Sequence, residues 1–290
     1  IEAQVLNAEW APVASKRVET PDTYDDLLEA LVHVASWADL QTDEVAPLGV
    51  GAAGLLNPKT RAVLTANLPA NNKPLPLDFA RLLGRPIAYV NDAQALALSE
   101  AIFGAARNHR RVVGLVLGTG IGGGTVEMGR LQAGPTGTGG EFGHMSAPAF
   151  VVSKHDLPTR QCGCGRWGCF EALIGGSGMT LIAEKVIGEA LSPSEIADAR
   201  HNDQGAQKVW DIWCELVAEL LHIITVIQDP DCIVLGGGLS NMAGVAQDLA
   251  LAAQRAQLGG FGIPEILLAQ GGDASGARGA AYAAACAARG

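Results

Sequence analysis

Long apolar runs are missing from this chain. Its most hydrophobic stretches, such as Val112 to Leu117 and Ile233 to Leu235, are strand-sized, far short of the roughly 20 residues that a membrane-spanning helix requires. No secretory signal segment is visible, so no membrane partner is expected and the expected compartment is the cytoplasm. Positive charge is in deficit: 20 Lys and Arg face 30 Asp and Glu, for a net charge of -10 and a pI near 5.0. No Lys/Arg cluster lines a face of any expected element, which excludes the electrostatic footprint of a nucleic-acid binder. The Walker pattern G-x-x-x-x-G-K-[ST] does not occur, which excludes the common P-loop. There is no repeat at a fixed short period and no low-complexity segment. What remains is an ordinary globular composition, 48% hydrophobic and 17% charged, over 290 residues, more than one typical domain, so two lobes are expected.

Cysteine is scarce, with six residues in the chain, yet three of them crowd into Cys162-Gly-Cys164-Gly-Arg-Trp-Gly-Cys169, shortly after the run Gly137-Thr-Gly-Gly-Glu141-Phe-Gly-His144. Three thiolates and one imidazole make a closed tetrahedral zinc site of the Cys3His type, which supports folding and not catalysis. A disulfide pair is the alternative, but nothing here points to secretion, and clustered cysteines in a cytosolic enzyme more often bind metal. Cys214, Cys232 and Cys286 stand alone in apolar stretches and read as core.

The pattern along the chain alternates strands with helices. Ala3 to Arg17 reads as an exposed strand pair, and Thr20-Pro-Asp as the start of a helix over Tyr24 to Ala38 with Leu27, Leu28, Leu31, Val32 and Ala35 on its buried face. A strand at Pro47 to Val50 leads to a glycine turn, Gly51 to Gly54, and Asn57-Pro-Lys reads as a second turn. Another strand, Ile87 to Val90, ends at Asn91-Asp92 ahead of a helix from Ala93 to Phe103. The pattern restarts after Ala105 to Arg110 with the strand Arg111 to Leu117, a glycine-rich turn, and a strand at Thr125 to Met128. Gln204 to Ile227 is the longest helical pattern, with Val209, Ile212, Trp213, Leu216, Val217 and Leu220 in one apolar stripe. A strand at Cys232 to Leu235 and an alanine-rich helix, Gly276 to Ala288, complete the chain. Such α/β units place chemistry at the carboxyl ends of strands.

Asp92 stands at such an end. A carboxylate there can take a proton from a substrate hydroxyl while Asn91 holds a neighbouring one; it can equally cap the helix behind it. Glu141 and Glu171 flank the metal cluster, and if the metal fixes those segments both become rigid acceptors for hydroxyls. His144 can ligate through one nitrogen and donate through the other. Two glycine runs, Leu117-Gly-Thr-Gly-Ile-Gly-Gly-Gly124 and Leu235-Gly-Gly-Gly-Leu-Ser240, could bring backbone N-H groups close to phosphate, although tight turns explain such runs as well. The first matches G-x-G-x-x-G, but Thr125-Val-Glu-Met after it is strand-like, which removes the dinucleotide reading.

Taken together, Val90-Asn91-Asp92-Ala93, the run from Leu117 to Gly124, Gly140-Glu141-Phe-Gly-His144-Met and Cys162 to Glu171 resemble the ROK family of sugar kinases and repressors, along the whole chain. Within it, Thr20-Pro-Asp-Thr-Tyr-Asp, Ala66-Asn67-Leu-Pro-Ala70, Lys73-Pro-Leu and Leu98-Ser-Glu100 are most similar to bacterial N-acetylglucosamine kinases. The resemblance implies a two-lobed α/β actin-like ATPase (ribonuclease H-like) fold with a zinc-binding insertion. Its lobes would span 1–107 and 108–275, with helix 276–290 packing back on the first. It implies ATP-dependent phosphorylation of a hexose 6-hydroxyl with Mg2+ and structural Zn2+, a homodimer, and Asp92 as base. Asn91, Glu141, His144 and Glu171 would bind sugar hydroxyls, Gly54 and Asn67 would line the sugar cleft, Gly118, Thr119 and Gly120 would face the phosphates, and Gly237 and Gly238 the adenosine. The sugar could be N-acetylglucosamine, N-acetylmannosamine or glucose. A repressor of the family needs a helix-turn-helix domain, and this sequence contains none; a sugar-binding protein without phosphoryl transfer is a third possibility.

Two departures stand out. The family opens with an apolar strand and an Asp-x-Gly-Gly-Thr-Lys loop that has no counterpart here, so some ten residues are expected upstream by typical strand-plus-loop lengths, and unpaired sheet edges without them. A chain truly lacking that loop is expected to have weak kinase activity or none. Ile174-Gly-Gly-Ser-Gly-Met also replaces the family's frequent Ser-Gly-Arg.

Overall fold

The structure, a computed structural model, describes residues 1–272 and 274–289. Asp273, in the expected second lobe 108–275, and Gly290, at the end of the expected helix 276–290, lie outside them. The N-terminal third comprises β1 (Glu2–Leu6), β2 (Pro12–Arg17), α1 (Tyr24–Asp39), β3 (Gly49–Ala52), β4 (Leu55–Leu56), β5 (Val63–Leu64), α2 (Leu75–Leu83), β6 (Ala88–Asn91) and α3 (Asp92–Ile102). β1 and β2 form an antiparallel pair, β3 and β6 a parallel one, and β4 and β5 a short hairpin.

α1 starts at Thr23 and not at Thr20-Pro-Asp, because the Thr23 hydroxyl accepts the Asp26 N-H at 3.3 Å and two acids in the first turn suit the helix dipole. Its buried face is Leu27, Leu28, Val34 and Ala35, with Leu31 and Val32 only half-buried. It packs on Val63, Leu75 and Phe79. The strand expected at Pro47 to Val50 is shifted to Gly49–Ala52, which takes in the first residues of the expected glycine turn. These glycines serve packing: a Cβ on Gly49 would sit 1.9 Å from the Ala280 carbonyl oxygen. Between β1 and β3 opens a cavity of about 440 Å³ lined by Gln4, Leu27, Val50, Phe79 and Ala280, among others. Among the described residues, β1 pairs with β2 alone and β3 with β6 alone.

The remainder carries β7 (Arg111–Leu117), β8 (Ile121–Glu127), β9 (Arg130–Leu131), α4 (Ala149–Lys154), α5 (Glu171–Ile174), α6 (Gly176–Ile187), α7 (Pro193–Ala199), α8 (Gln204–Gln228), β10 (Cys232–Gly236), α9 (Val245–Ala256), β11 (Glu265–Leu268) and α10 (Ala274–Arg289). Five strands form one mixed sheet in the order β11-β10-β7-β8-β9, with β10 parallel to both its neighbours. The whole expected stripe of α8 is buried against this sheet, with Trp210 and Trp213 among the largest core side chains. The glycine-rich turn is shorter than expected, since Gly122 to Gly124 belong to β8 and only Gly118 to Gly120 turn. Cys214 and Cys232 are core residues, but Cys286 is exposed: on an alanine-rich helix an apolar neighbourhood in sequence does not distinguish the packed face from the wet one. α10 lies against α3, β3 and β6, and its small residues permit this, since a Cβ on Gly279 would lie 1.8 Å from the Ala95 carbonyl oxygen. Among the described residues no helix is long and apolar enough to cross a membrane.

Candidate active site

The junction of β6 and α3 forms one corner of the site. Asn91 is the N-cap of α3: its Oδ1 accepts the Ala93 N-H at 2.9 Å, and its Nδ2 donates to the Gly54 carbonyl at 3.3 Å. Asp92 is the first helical residue, exposed, and its Oδ1 shares the Ala93 N-H at 2.9 Å. The capping box is thus that of Asn91, and among the described residues the other carboxylate oxygen of Asp92 accepts no hydrogen bond. Gly54 reaches this corner through a left-handed turn at φ 124°, where a Cβ would meet the Leu64 carbonyl oxygen at 2.8 Å. The Tyr89 hydroxyl also donates to Gly54 at 3.4 Å. Burial, then the charge of Asp92, pushes that phenol up to about 12.

The second corner is built by cysteines. The ligand atoms of His144, Cys162, Cys164 and Cys169 all lie within 4.8 Å of one another. Their spacing fits a tetrahedron around one zinc ion, whose sulfur-sulfur edge is about 3.8 Å and sulfur-nitrogen edge about 3.6 Å for the usual bond lengths. The Cys164 and Cys169 sulfurs are 3.7 Å apart, and Cys162 Sγ is 3.6 Å from His144 Nδ1. Burial pushes the Cys162 thiol up to about 12 and raises Cys169 as well. Against the effect of burial, Cys164 moves the other way, lowered by the Arg166 N-H and its neighbouring thiols, so it is Cys162 and Cys169 whose thiolate forms call for a cation. The donor set and its geometry fit the ion.

Two glutamates hang from this cluster. Glu171 follows Cys169 closely; its Oε2 accepts the Ile121 N-H at 2.9 Å and its Oε1 lies 3.3 Å from Cys162 Sγ and 3.9 Å from His144 Nδ1. The other ring nitrogen, Nε2, stands 3.5 Å from Glu141 Oε2, so the ring edge and a carboxylate are presented side by side. Burial raises the pKa of Glu141; His144 opposes the shift, and the nearby charges of Glu171 and Asp92 add to it. Asp92, Glu141 and Glu171 therefore share one electrostatic neighbourhood although they come from three separate segments.

The two glycine turns lie at adjacent strand ends. Gly118 donates to the Gly120 carbonyl at 3.1 Å and accepts the Gly176 N-H at 2.9 Å. A Cβ on Gly118 would be 4.0 Å from the Gly238 nitrogen, and one on Gly237, at φ 83°, only 2.5 Å from the Leu117 carbonyl oxygen. A Cβ on Gly120 would lie 3.0 Å from Glu171 Oε2, so Glu171 links the cysteine cluster to the first turn. Thr119 and Gly238 are exposed. Asn67 is exposed as well, and its N-H donates to the Thr65 hydroxyl at 3.3 Å; Thr65 in turn lies against Gly54. Sequence reasoning missed Gln94, whose side chain reaches from α3 to Gly139. The signal was there in Asn91-x-x-Gln94, a capping-box spacing.

The model of the ROK family matches residues 1–286. The chain belongs to the ROK family. An N-acetyl-D-glucosamine kinase of Pectobacterium atrosepticum is 40% identical over 286 residues, 97% of this chain and 94% of that one. A ROK hexokinase of Thermus thermophilus superposes with a TM-score of 0.85 at 29% identity, covering 96% of this chain and 92% of the other. A ROK glucokinase of Streptomyces griseus, solved in complex with glucose and AMPPNP, gives 0.76 at 26% identity, covering 99% and 95%. The fold is the two-lobed actin-like ATPase fold of ROK sugar kinases, and this ROK chain is a hexose kinase.

Proposed function

We propose that this enzyme transfers the γ-phosphoryl group of ATP to the 6-hydroxyl of N-acetyl-D-glucosamine. The 6-oxygen attacks the γ-phosphorus in line, its proton passes to the Asp92 carboxylate, the bond from the γ-phosphorus to the bridging oxygen breaks, and ADP leaves. Phosphoryl transfer of this kind asks the protein for positioning and electrostatic stabilisation above all. The observation that carries the reading is Asp92 itself: an exposed carboxylate, relieved of the capping role by Asn91, in one neighbourhood with two half-buried glutamates. Glu141, His144 Nε2, Glu171 and the Asn91 amide bind sugar hydroxyls, with Gly54 and Asn67 at the margin of the cleft. Gly118, Thr119 and Gly120 face the phosphates, and Gly237 and Gly238 the adenosine. His144, Cys162, Cys164 and Cys169 hold a structural zinc ion that supplies a rigid crosslink and no chemistry. Mg2+ would arrive with ATP and neutralise its phosphates; Glu171 Oε2, the acid next to the first glycine turn, is engaged by Ile121, and no side chain of this chain is assigned to that ion. The lobes divide at residues 107 and 108, the C-terminal helix packs back on the first lobe, and the enzyme works as a homodimer.

ATP-dependent phosphorylation across a hexose panel tests this reading, with Asp92→Asn as control. Turnover on N-acetylglucosamine that the control loses is the expected result. Preference for glucose would move the assignment to the activity named for the Streptomyces relative. Sugar binding without turnover on any hexose would overturn phosphoryl transfer in favour of a sugar-binding regulator.

A further inference from the structure

Gln94 lies on the first turn of α3, 7% exposed, and uses both ends of its side chain. Oε1 accepts the N-H of Asn91 at 3.4 Å, and Nε2 donates to the carbonyl of Gly139 at 3.1 Å. Asn91 is the neighbour of Asp92, and Gly139 stands just ahead of Glu141. One buried amide thus spans the two corners of the site.

The glycines around it explain why the reach succeeds. A Cβ on Gly124 would lie 2.9 Å from Gln94 Cα and 3.4 Å from its Cγ. A Cβ on Gly140 would lie 2.1 Å from the Gly123 carbonyl oxygen, and one on Gly139 2.7 Å from that of Ala133. Strand β8 therefore lies against α3 at Gln94 and Ala97 and against the backbone of Gly140, with only small or narrow groups at the contacts. Such a seam has shape but little to fix the slide of one layer over the next. A buried amide donor needs its acceptor, so the Gln94 hydrogen bond defines a register that van der Waals contact alone leaves soft.

We propose that Gln94 is a positioning residue that locks the Gly139–Glu141 segment to the Asn91–Asp92 corner and thereby sets the distance between the base and a sugar-binding carboxylate. The proposal rests on the roles given above to Asp92 and Glu141. Reacting groups displaced by about 1 Å can lose a factor on the order of 100 in rate, so a link of one hydrogen bond is enough to matter.

Gln94→Met keeps length and volume but removes the donor and the acceptor; Gln94→Asn keeps the amide but is one methylene too short to span both partners. Steady-state kinetics, thermal unfolding and amide hydrogen exchange at residues 139–141 are measured on the metal-loaded full chain. The expected result for both variants is a KM for the sugar raised about 10-fold and a kcat lowered by a similar factor, with KM for ATP within about twofold, melting within a few degrees, and faster exchange at Gly140 and Glu141. Unchanged sugar KM and kcat in both variants would overturn the proposal. So would a loss of kcat that follows a lowered melting temperature with both KM values intact, since that pattern means less folded protein and no misplaced sugar. If the parent chain phosphorylates no hexose, the proposed function fails by itself, and the exchange comparison still decides whether Gln94 holds the segment: unchanged exchange overturns the link, faster exchange supports it.

Discussion

Asp92 and Glu171 are both carboxylates on the first residue of a helix, and the protein holds them in opposite ways. Asp92 begins α3, an 11-residue helix with a complete capping box, most of whose residues are buried. Ordinary secondary structure suffices to aim it. Glu171 begins α5, which is four residues long and has no side-chain cap; helices so short do not persist by themselves. What holds Glu171 is the burial of Phe170, Leu173 and Ile174 beside it in the core, its own bond to Ile121, and the loop before it, whose Cys162, Cys164 and Cys169 gather around His144. One half of the site is thus positioned by helix and sheet, the other also by the cysteine cluster that we propose holds zinc, and on that reading the two halves fail under different insults.

The largest break is expected on the helical side at the reacting atom. Asp92→Asn preserves shape and hydrogen bonding to Ala93 but removes the proposed base, so kcat is expected to fall on the order of 1,000-fold while sugar affinity and melting temperature stay close to those of the parent. Retention of full turnover would remove Asp92 from the chemistry. On the ligated side the pattern reverses. Chelation, or Cys169→Ser, is expected to lower the melting temperature by about 10 °C and to weaken sugar binding by about 10-fold to 100-fold, with the loss seen first in hydrogen exchange between His144 and Glu171. A demonstrably metal-free sample with unchanged melting and exchange would show that hydrogen bonds alone carry that loop.

The same division governs what could be read from the sequence. The β6–α3 junction and the α8 stripe were legible because local periodicity and a polar strand end report directly on backbone state. The cysteine spacing was legible because thiols at such intervals have few other uses. Glycines were not: Gly51 and Gly122 to Gly124 read as turns, yet they lie in strands, and their meaning is the close approach of Ala280, Gln94, Phe142 and Gly140. A missing Cβ looks alike in a turn and in a packed seam, and only the partner backbone, far away in sequence, tells them apart. Gln94 was passed over for a related reason, since its partner Gly139 is remote. Cys286 shows the converse error, where a wet helix face was taken for a dry one.

The smallest expected effect sharpens the comparison at Asn91, which caps α3 with one atom and reaches Gly54 with another. Asn91→Ala removes both, and loss of an N-cap costs about 1 kcal/mol, a shift of about 2–4 °C in melting for a chain of this size. Asn91→Asp keeps the capping oxygen and loses only the donor to Gly54, so its melting is expected to stay within about 1 °C of the parent. The sugar KM should nevertheless rise in both variants, because the proposed sugar-binding amide is gone and Gly54 keeps only its weaker bond from the Tyr89 hydroxyl. If Asn91→Asp melts as low as Asn91→Ala, the Gly54 bond and not the cap stabilises this corner, and the helical half of the site would depend on a single tertiary contact much as the ligated half depends on its cluster.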